Sequence, residues 1–229
     1  MFNNVVVGIG GRESWQDAVV LARQLLGEDG LLTLANVYVF GAEPHLSSGY
    51  SRDVEALERA RAGELLQRAR RRAGIRAGAR WRGAASVGRG LHEIAETLQA
   101  DLVVVGMSPH DWLGRALRRD NTLAALHGAP CAVAVAPAGC GQGGQEIRRV
   151  RVFRDRSAEQ FAAASGSGEL LVVGSHGHGP LGRLLDRGTH RKLVHNAHSP
   201  LLVLPRGARP LAVAEALAYG EDPVEAGLR

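Results

Sequence analysis

The feature that most constrains this chain is a repeat within it. The segment Ala100-Asp-Leu-Val-Val-Val-Gly106-Met-Ser-Pro-His110-Asp-Trp-Leu113-Gly114-Arg115-Ala-Leu117 aligns without a gap on Gly168-Glu-Leu-Leu-Val-Val-Gly174-Ser-His-Gly-His178-Gly-Pro-Leu181-Gly182-Arg183-Leu-Leu185, and half of the positions are identical. Beyond Arg119 and Arg187 the second copy carries two more residues. Each copy then closes with an apolar run that stops at proline, Pro130-Cys-Ala-Val-Ala-Val-Ala-Pro137 and Pro200-Leu-Leu-Val-Leu-Pro205. Self-similarity of this length means two copies of one strand-loop-helix-strand unit.

The first copy sits at the end of a longer alternation of strands and helices. Residues 4–9 read as a buried strand, and Gly10-Gly11 as a turn. Ser14 with Asp17 three residues on forms a partial capping box. Ala18, Leu21, Ala22, Leu25 and Leu26 then recur at helical spacing, with Gly27 as the stop. A strand over 31–40, a helix over 52–72 ending at Gly74, a weaker strand over 77–87 and a helix through Leu91, Ile94, Ala95 and Leu98 follow. The strand 101–106, a helix near 120–127 and the strand 131–135 complete the unit. Ser86 reads as a strand-end residue. Strands alternating with helices at this spacing imply right-handed crossovers, hence an α/β fold with a doubly wound parallel sheet.

The second copy has little before it. Residues 138–146, Ala-Gly-Cys-Gly-Gln-Gly-Gly-Gln-Glu, read as a flexible linker. Between it and Leu170 there is room for one strand, 149–154, and one helix from about Ser157. The strand is an equivalent of the unit's first strand, with Val150 and Val152 matching Val5 and Val7, or of its third. The first reading is preferred, because a first strand lies directly beside the fourth in a doubly wound sheet. The expected organisation is a complete unit over 1–137, the linker 138–146, an abridged unit over 147–205, and a tail over 206–229. The tail contains a short helix at 212–218 and is expected to be partly disordered.

Composition narrows the function classes. Aromatic residues are 4% of the chain, so the core is built from Val, Leu, Ile and Ala. No run is long enough to cross a bilayer, and Met1-Phe2-Asn3-Asn4 carries no basic region of a signal peptide, so a cytoplasmic location is expected. Cys131 and Cys140 fit neither a disulfide framework nor a metal-ligand spacing. The formal net charge is +5. Much of the excess lies at Arg68–Arg72, Arg76, Arg80 and Arg82, and the first of these fall where a helix ends and cations complement its dipole. With no interleaved aromatics read as a stacking surface, nucleic acid is not expected as a partner.

The chemistry is concentrated after the strand that ends at Gly174. The segment Gly174-Ser-His-Gly177-His-Gly-Pro-Leu-Gly-Arg-Leu-Leu-Asp-Arg-Gly188-Thr189 joins a buried strand to a helix. Glycines allow close backbone approach, and amides at a helix N-terminus cradle phosphate. Its expected place is the carboxyl end of a central strand where the sheet order reverses.

Over residues 3–205 the chain resembles the universal stress protein family. That resemblance implies a five-stranded α/β unit and, in one branch, ATP binding. The family signature is Gly, two residues, Gly, nine residues, then Gly and Ser or Thr, with an aspartate after the first strand on the adenine or ribose side. Gly174, Gly177, Gly188 and Thr189 fit it, save that ten residues separate Gly177 from Gly188, and Asp155 fits the aspartate. Ser175, His176 and His178 complete the implied nucleotide site, and the ligand is ATP or a related adenine nucleotide, with or without Mg²⁺. The first unit departs further: Gly106 is kept, but Pro109, Arg119, Asp120 and Gly10 replace the other signature residues. It is not expected to bind nucleotide in the usual pose. His176, His178, His190, His195 and His198 cluster in sequence, but no cysteine or carboxylate at ligand spacing supports a metal site, and no catalytic arrangement is evident.

Family members pair through their last strands. The resemblance therefore implies an intrachain pseudo-dimer through strands 131–135 and 201–204, with the open edge of the abridged unit available for a further, homodimeric pairing. Two function classes follow: a nucleotide-responsive regulatory protein, or a stress-associated interaction scaffold without a ligand. A slow ATP hydrolase is a weaker third, with Asp186 the one carboxylate near the loop.

Overall fold

Val5, Val6 and Val7 have no exposed surface, because the strand that carries them is flanked by strands and covered on both faces. This is β1 (Phe2–Gly8). The computed structural model describes residues 1–10, 14–39, 48–74, 76–107, 125, 128–141, 146–153, 168–174, 199–205, 208 and 210–217. Within them the chain continues through α1 (Trp15–Leu25), β2 (Leu26–Val39), α2 (Ser48–Ala73), β3 (Gly78–Ala84), α3 (Val87–Leu98), β4 (Leu102–Gly106) and β5 (Ala132–Ala136). It then forms β6 (Arg149–Phe153), β7 (Glu169–Gly174), β8 (Leu201–Leu204) and α4 (Pro210–Leu217).

All eight strands join one sheet, in the order β3-β2-β1-β4-β5-β8-β7-β6. Every neighbouring pair is parallel except β5 and β8, which run antiparallel with Val133 opposite Val203. These two valines are equivalent in the repeat, so the junction carries a local two-fold relation between the copies. The strands expected to pair within the chain thus do so. Beyond the junction the registers also correspond. Val5 faces Leu102 and Val7 faces Val104 in the first unit, while Val150 faces Leu170 and Val152 faces Val172 in the second. β6 therefore stands to β7 as β1 stands to β4, the arrangement of a first strand.

Alternation along the strands divides the core between the two faces. On one face Val5, Val7, Leu102 and Val104 pack with Ala18, Leu21, Ala22 and Leu25 of α1 and Leu66 and Ala69 of α2. On the other, Val6, Val103 and Val105 pack with Leu91, Ile94 and Ala95 of α3 and with Ala125. The first face extends over the second unit through Val150, Val152, Leu170 and Val172, where it is covered by α4. Pro210 opens that helix, a position where its missing N–H costs nothing, and Leu217 at its end is 2% exposed. This corrects the expectation of a partly disordered tail for its first part. α4 covers β6 and β7 on the face where α1 covers β1 and β4.

Three local readings are also corrected. Ser14 precedes α1 in a helical conformation and its side chain caps nothing, whereas Ser86 is the cap of α3 and accepts from the Arg89 amide. α1 ends at Leu25, and β2 begins at once rather than after Gly27. The supposed flexible linker is tied down at its start, and the residue that follows it is bonded as well. The Gly139 and Gly141 amides donate to the two carboxylate oxygens of Asp17, at 3.0 and 2.8 Å, and the Ile147 amide donates to Gln24 Oε1. Asp17 is 8% exposed, so its carboxylate serves this distant turn rather than a capping box. Gly141 suits the contact, since a Cβ there would lie 3.1 Å from Asp17 Oδ1 and from Val20.

Candidate functional site

β6 and β7 run parallel, from Arg149 opposite Glu169 to Phe153 opposite Val173. Their carboxyl ends therefore lie side by side. Gly174 is the last residue of β7 and pairs with Leu204 of β8, so it occupies the expected position at the carboxyl end of a strand flanked on both sides. In sequence, Asp155 follows the last residue of β6 by two positions. Asp155, Ser175, His176, Gly177, His178, Gly188 and Thr189 lie outside the described residues, as do Pro109, Arg119, Asp120, Asp186, His190, His195 and His198.

One expectation about this place is overturned. The strand order reverses between β1 and β4, with β2 on the far side of β1 and β5 on the far side of β4. In the second unit β6, β7 and β8 follow one another across the sheet, and β6 is its edge. Among the described residues no reversal occurs there, because the sheet contains no equivalents of β2 and β3 for the second unit. A crevice at a reversal is walled by segments that diverge to both sides; the second unit has strands on one side only of β6.

At the reversal that does exist, in the first unit, the backbone of Ser14 lies against β4. Gly106 ends β4, and a Cβ on it would overlap the carbonyl of Ser14. The chain leading into α1 therefore lies directly against the glycine that heads the degenerate signature. Nearby, the Ile9 amide donates to the Ala35 carbonyl and Asn36 Nδ2 donates to the Ile9 carbonyl, at 2.7 and 2.6 Å, which holds the end of β1 to β2. The Met107 amide donates to the Ala136 carbonyl and does the same for β4 and β5. Among the described residues, the Met107 amide is thus already bonded and the space beside Gly106 is taken by the Ser14 carbonyl.

At the opposite, amino-terminal ends of the strands the two copies differ. Asp101 accepts from the amides of Asn3 and Asn4, at 2.8 and 2.9 Å. Its repeat mate Glu169 is buried and pairs instead with Arg151 at 2.6 Å. Among the described residues no three His, Cys, Asp or Glu side chains come together as a metal-binding group. Burial raises the Cys131 thiol to about 11 and the Cys140 thiol to about 12, with the charges of Asp101 and Asp17 adding to the respective shifts. Neither is suited to nucleophilic chemistry at neutral pH. No helix in the described residues is long and apolar enough to cross a membrane.

A doubly wound α/β unit, joined to a shortened copy of itself through antiparallel last strands, defines a tandem protein of the doubly wound α/β class. The model of the universal stress protein family matches residues 1–137 and again 140–205. The chain belongs to that family. Among solved structures it is similar to a universal stress protein from Archaeoglobus fulgidus, with 13% identity over 90% of this chain and 97% of that one and a TM-score of 0.55. A universal stress protein described in complex with cAMP is 26% identical over 59% of this chain and 96% of its own, with a TM-score of 0.39. A family member from Arabidopsis thaliana with AMP bound is 15% identical over 58% and 90%, with a TM-score of 0.36. No curated protein matches the chain significantly.

Proposed function

We propose that this protein is a nucleotide-responsive regulator that binds one adenine nucleotide, ATP or a relative with or without Mg²⁺, at its second unit and none at its first. The observation that carries the reading is the adjacency of the β6 and β7 carboxyl ends, since the aspartate and glycine-loop elements of the family signature follow those two strands in sequence. Asp155 then faces the adenine or ribose side, and Gly174, Ser175, His176, Gly177, His178, Gly188 and Thr189 surround the phosphates. The first unit serves as scaffold, in keeping with the Ser14 carbonyl packed on Gly106. Because β6 is an edge, the nucleotide site is more open than one at a strand-order reversal, and weak binding that follows cellular nucleotide concentration is the expected behaviour.

In this reading the functional units are 1–137 and 147–205, joined by 138–146 and followed by the segment 206–229. The protein acts in the cytoplasm, and the free edge of β6 is where a homodimer forms. The test is to release bound nucleotide by heat denaturation of freshly purified protein and identify it by mass spectrometry, then to titrate it calorimetrically. One site per chain is expected, with affinity reduced at least about tenfold in Asp155→Ala and in Gly177→Ala, as expected for removing contacts of about 1.4 kcal/mol or more. Absence of copurified nucleotide together with no heat of binding for ATP, AMP or cAMP would establish the ligand-free scaffold instead.

A further inference from the structure

Between Glu64 and Glu93 the sequence has no acidic residue and eight arginines: Arg68, Arg70, Arg71, Arg72, Arg76, Arg80, Arg82 and Arg89. The fold brings this stretch to one edge of the molecule, because it forms the end of α2, the edge strand β3 and the start of α3. All eight arginines are exposed. Glu93 holds Arg82 and Arg89 together. No carboxylate is paired with Arg68, Arg70, Arg71, Arg76 or Arg80 among the described residues, and Arg80 donates only to the neighbouring Ala79 carbonyl.

Arginine on an edge strand has a simple use, since charge there discourages addition of another strand. The residue between Arg80 and Arg82 has no such use. Trp81 is 42% exposed on that edge. Its ring packs at a tilt against Tyr38, with centroids 6.3 Å apart, and the Arg59 guanidinium lies 5.0 Å from its centroid. Arg59 is itself held by Glu55, and Tyr38 is bonded to the same carboxylate, so the indole is braced from behind and presented outward. Side chains alternate along a strand. Trp81 therefore projects on the α2 side of the edge, and Arg80 and Arg82 on the α3 side. The reading of this region as lacking interleaved aromatics missed that arrangement.

We infer that the β3 edge, with Trp81, Arg76, Arg80 and the arginines ending α2, is a binding surface for single-stranded nucleic acid. Arginines along the edge track a phosphate backbone, and a braced, half-exposed indole on its α2 side offers a stacking platform that does not depend on base identity. An anionic bilayer is a poorer fit, since insertion needs a broad apolar face and, among the described residues, the exposed large apolar side chains of α2 are Val54 and Leu57. The surface is separate from the proposed nucleotide site, which lies across the sheet beyond β8.

The test uses the full chain and fluorescence anisotropy with labelled oligo(dT) and oligo(U). Binding is expected to weaken steeply between about 50 and 200 mM salt. Arg76→Glu with Arg80→Glu should lower the log–log salt slope by about two. Trp81→Ala should weaken binding about 5- to 100-fold, and Trp81→Phe should restore part of the loss. Melting curves check that each variant is folded, and the arginine pair provides a second readout should Trp81→Ala melt early. Absence of binding at low salt overturns the inference. So does binding that neither variant alters, or equal binding of polyglutamate or phosphatidylserine vesicles that Trp81→Ala leaves unchanged.

Discussion

Asp17→Ala tests how firmly the segment that joins the two units is held to the first of them. The Asp17 carboxylate receives two backbone amides from residues more than a hundred positions away, Gly139 at 3.0 Å and Gly141 at 2.8 Å, and is itself 8% exposed. Hydrogen bonds to a charged group contribute about 1.5–3 kcal/mol each. The turn is half-exposed, so water replaces part of what the carboxylate supplied, and a net loss of about 2–3 kcal/mol is expected for the alanine variant. In a chain of this size about 2–4 °C of melting temperature accompanies each kcal/mol, so the transition should fall by about 4–12 °C. Asp17→Asn keeps one acceptor and sets an amide against the other donor, and should lie between the two. The local readout is amide hydrogen exchange: Gly139 and Gly141 should lose protection in both variants, before the sheet does. A melting temperature within about 1 °C of the parent, with unchanged exchange at those two glycines, would falsify the assignment of Asp17 as the clamp.

Other substitutions test the remaining structural claims. Gly106→Ala places a methyl against the Ser14 carbonyl and should cost about 1–3 kcal/mol as overpacking; a thermal transition no lower than the parent's would show that this space is open. Leu217→Ala removes a side chain that is 2% exposed under β6 and β7 and should cost about 2 kcal/mol or more in a denaturant titration. An unchanged midpoint would mean that α4 does not cover the second unit. Both thiols are raised well above the usual cysteine value, to about 11 and about 12. The reactive thiolate is therefore scarcer in the folded state at every pH below those values, and a disulfide reagent at pH 8 should label Cys131 and Cys140 far more slowly than the unfolded chain. Rapid native labelling would contradict that burial.

Some of this architecture was legible because it is written in short-range patterns. The runs 102–106, 132–136 and 201–204 are apolar throughout and become fully paired strands. The gapless match through Gly106 and Gly174 already identified two units, and the matched positions of Val5 with Val150 and Val7 with Val152 anticipated the observed registers. Caps were less legible. Ser14 followed by Asp17 has the spacing of a capping box, yet Asp17 found stronger partners elsewhere. Ser86 had no comparable sequence signal and is the cap. Of the candidate site, Gly174 alone is described; it ends a strand flanked on both sides, as the pattern implied, but not beside a reversal of strand order.

The sequence by itself determined that the chain is two α/β units of unequal length, because hydrophobic period, turn residues and repetition act within a few residues of where they are read. Tertiary structure decided what those units do to each other. It joined them into one eight-stranded sheet, set β6 at its edge with no reversal of strand order beside it, laid α4 over the face that α1 covers in the first unit, and closed the Asp17 clamp. These outcomes depend on contacts between residues far apart in the chain, where which buried donor meets which acceptor follows from how the units dock and leaves no mark in local spacing.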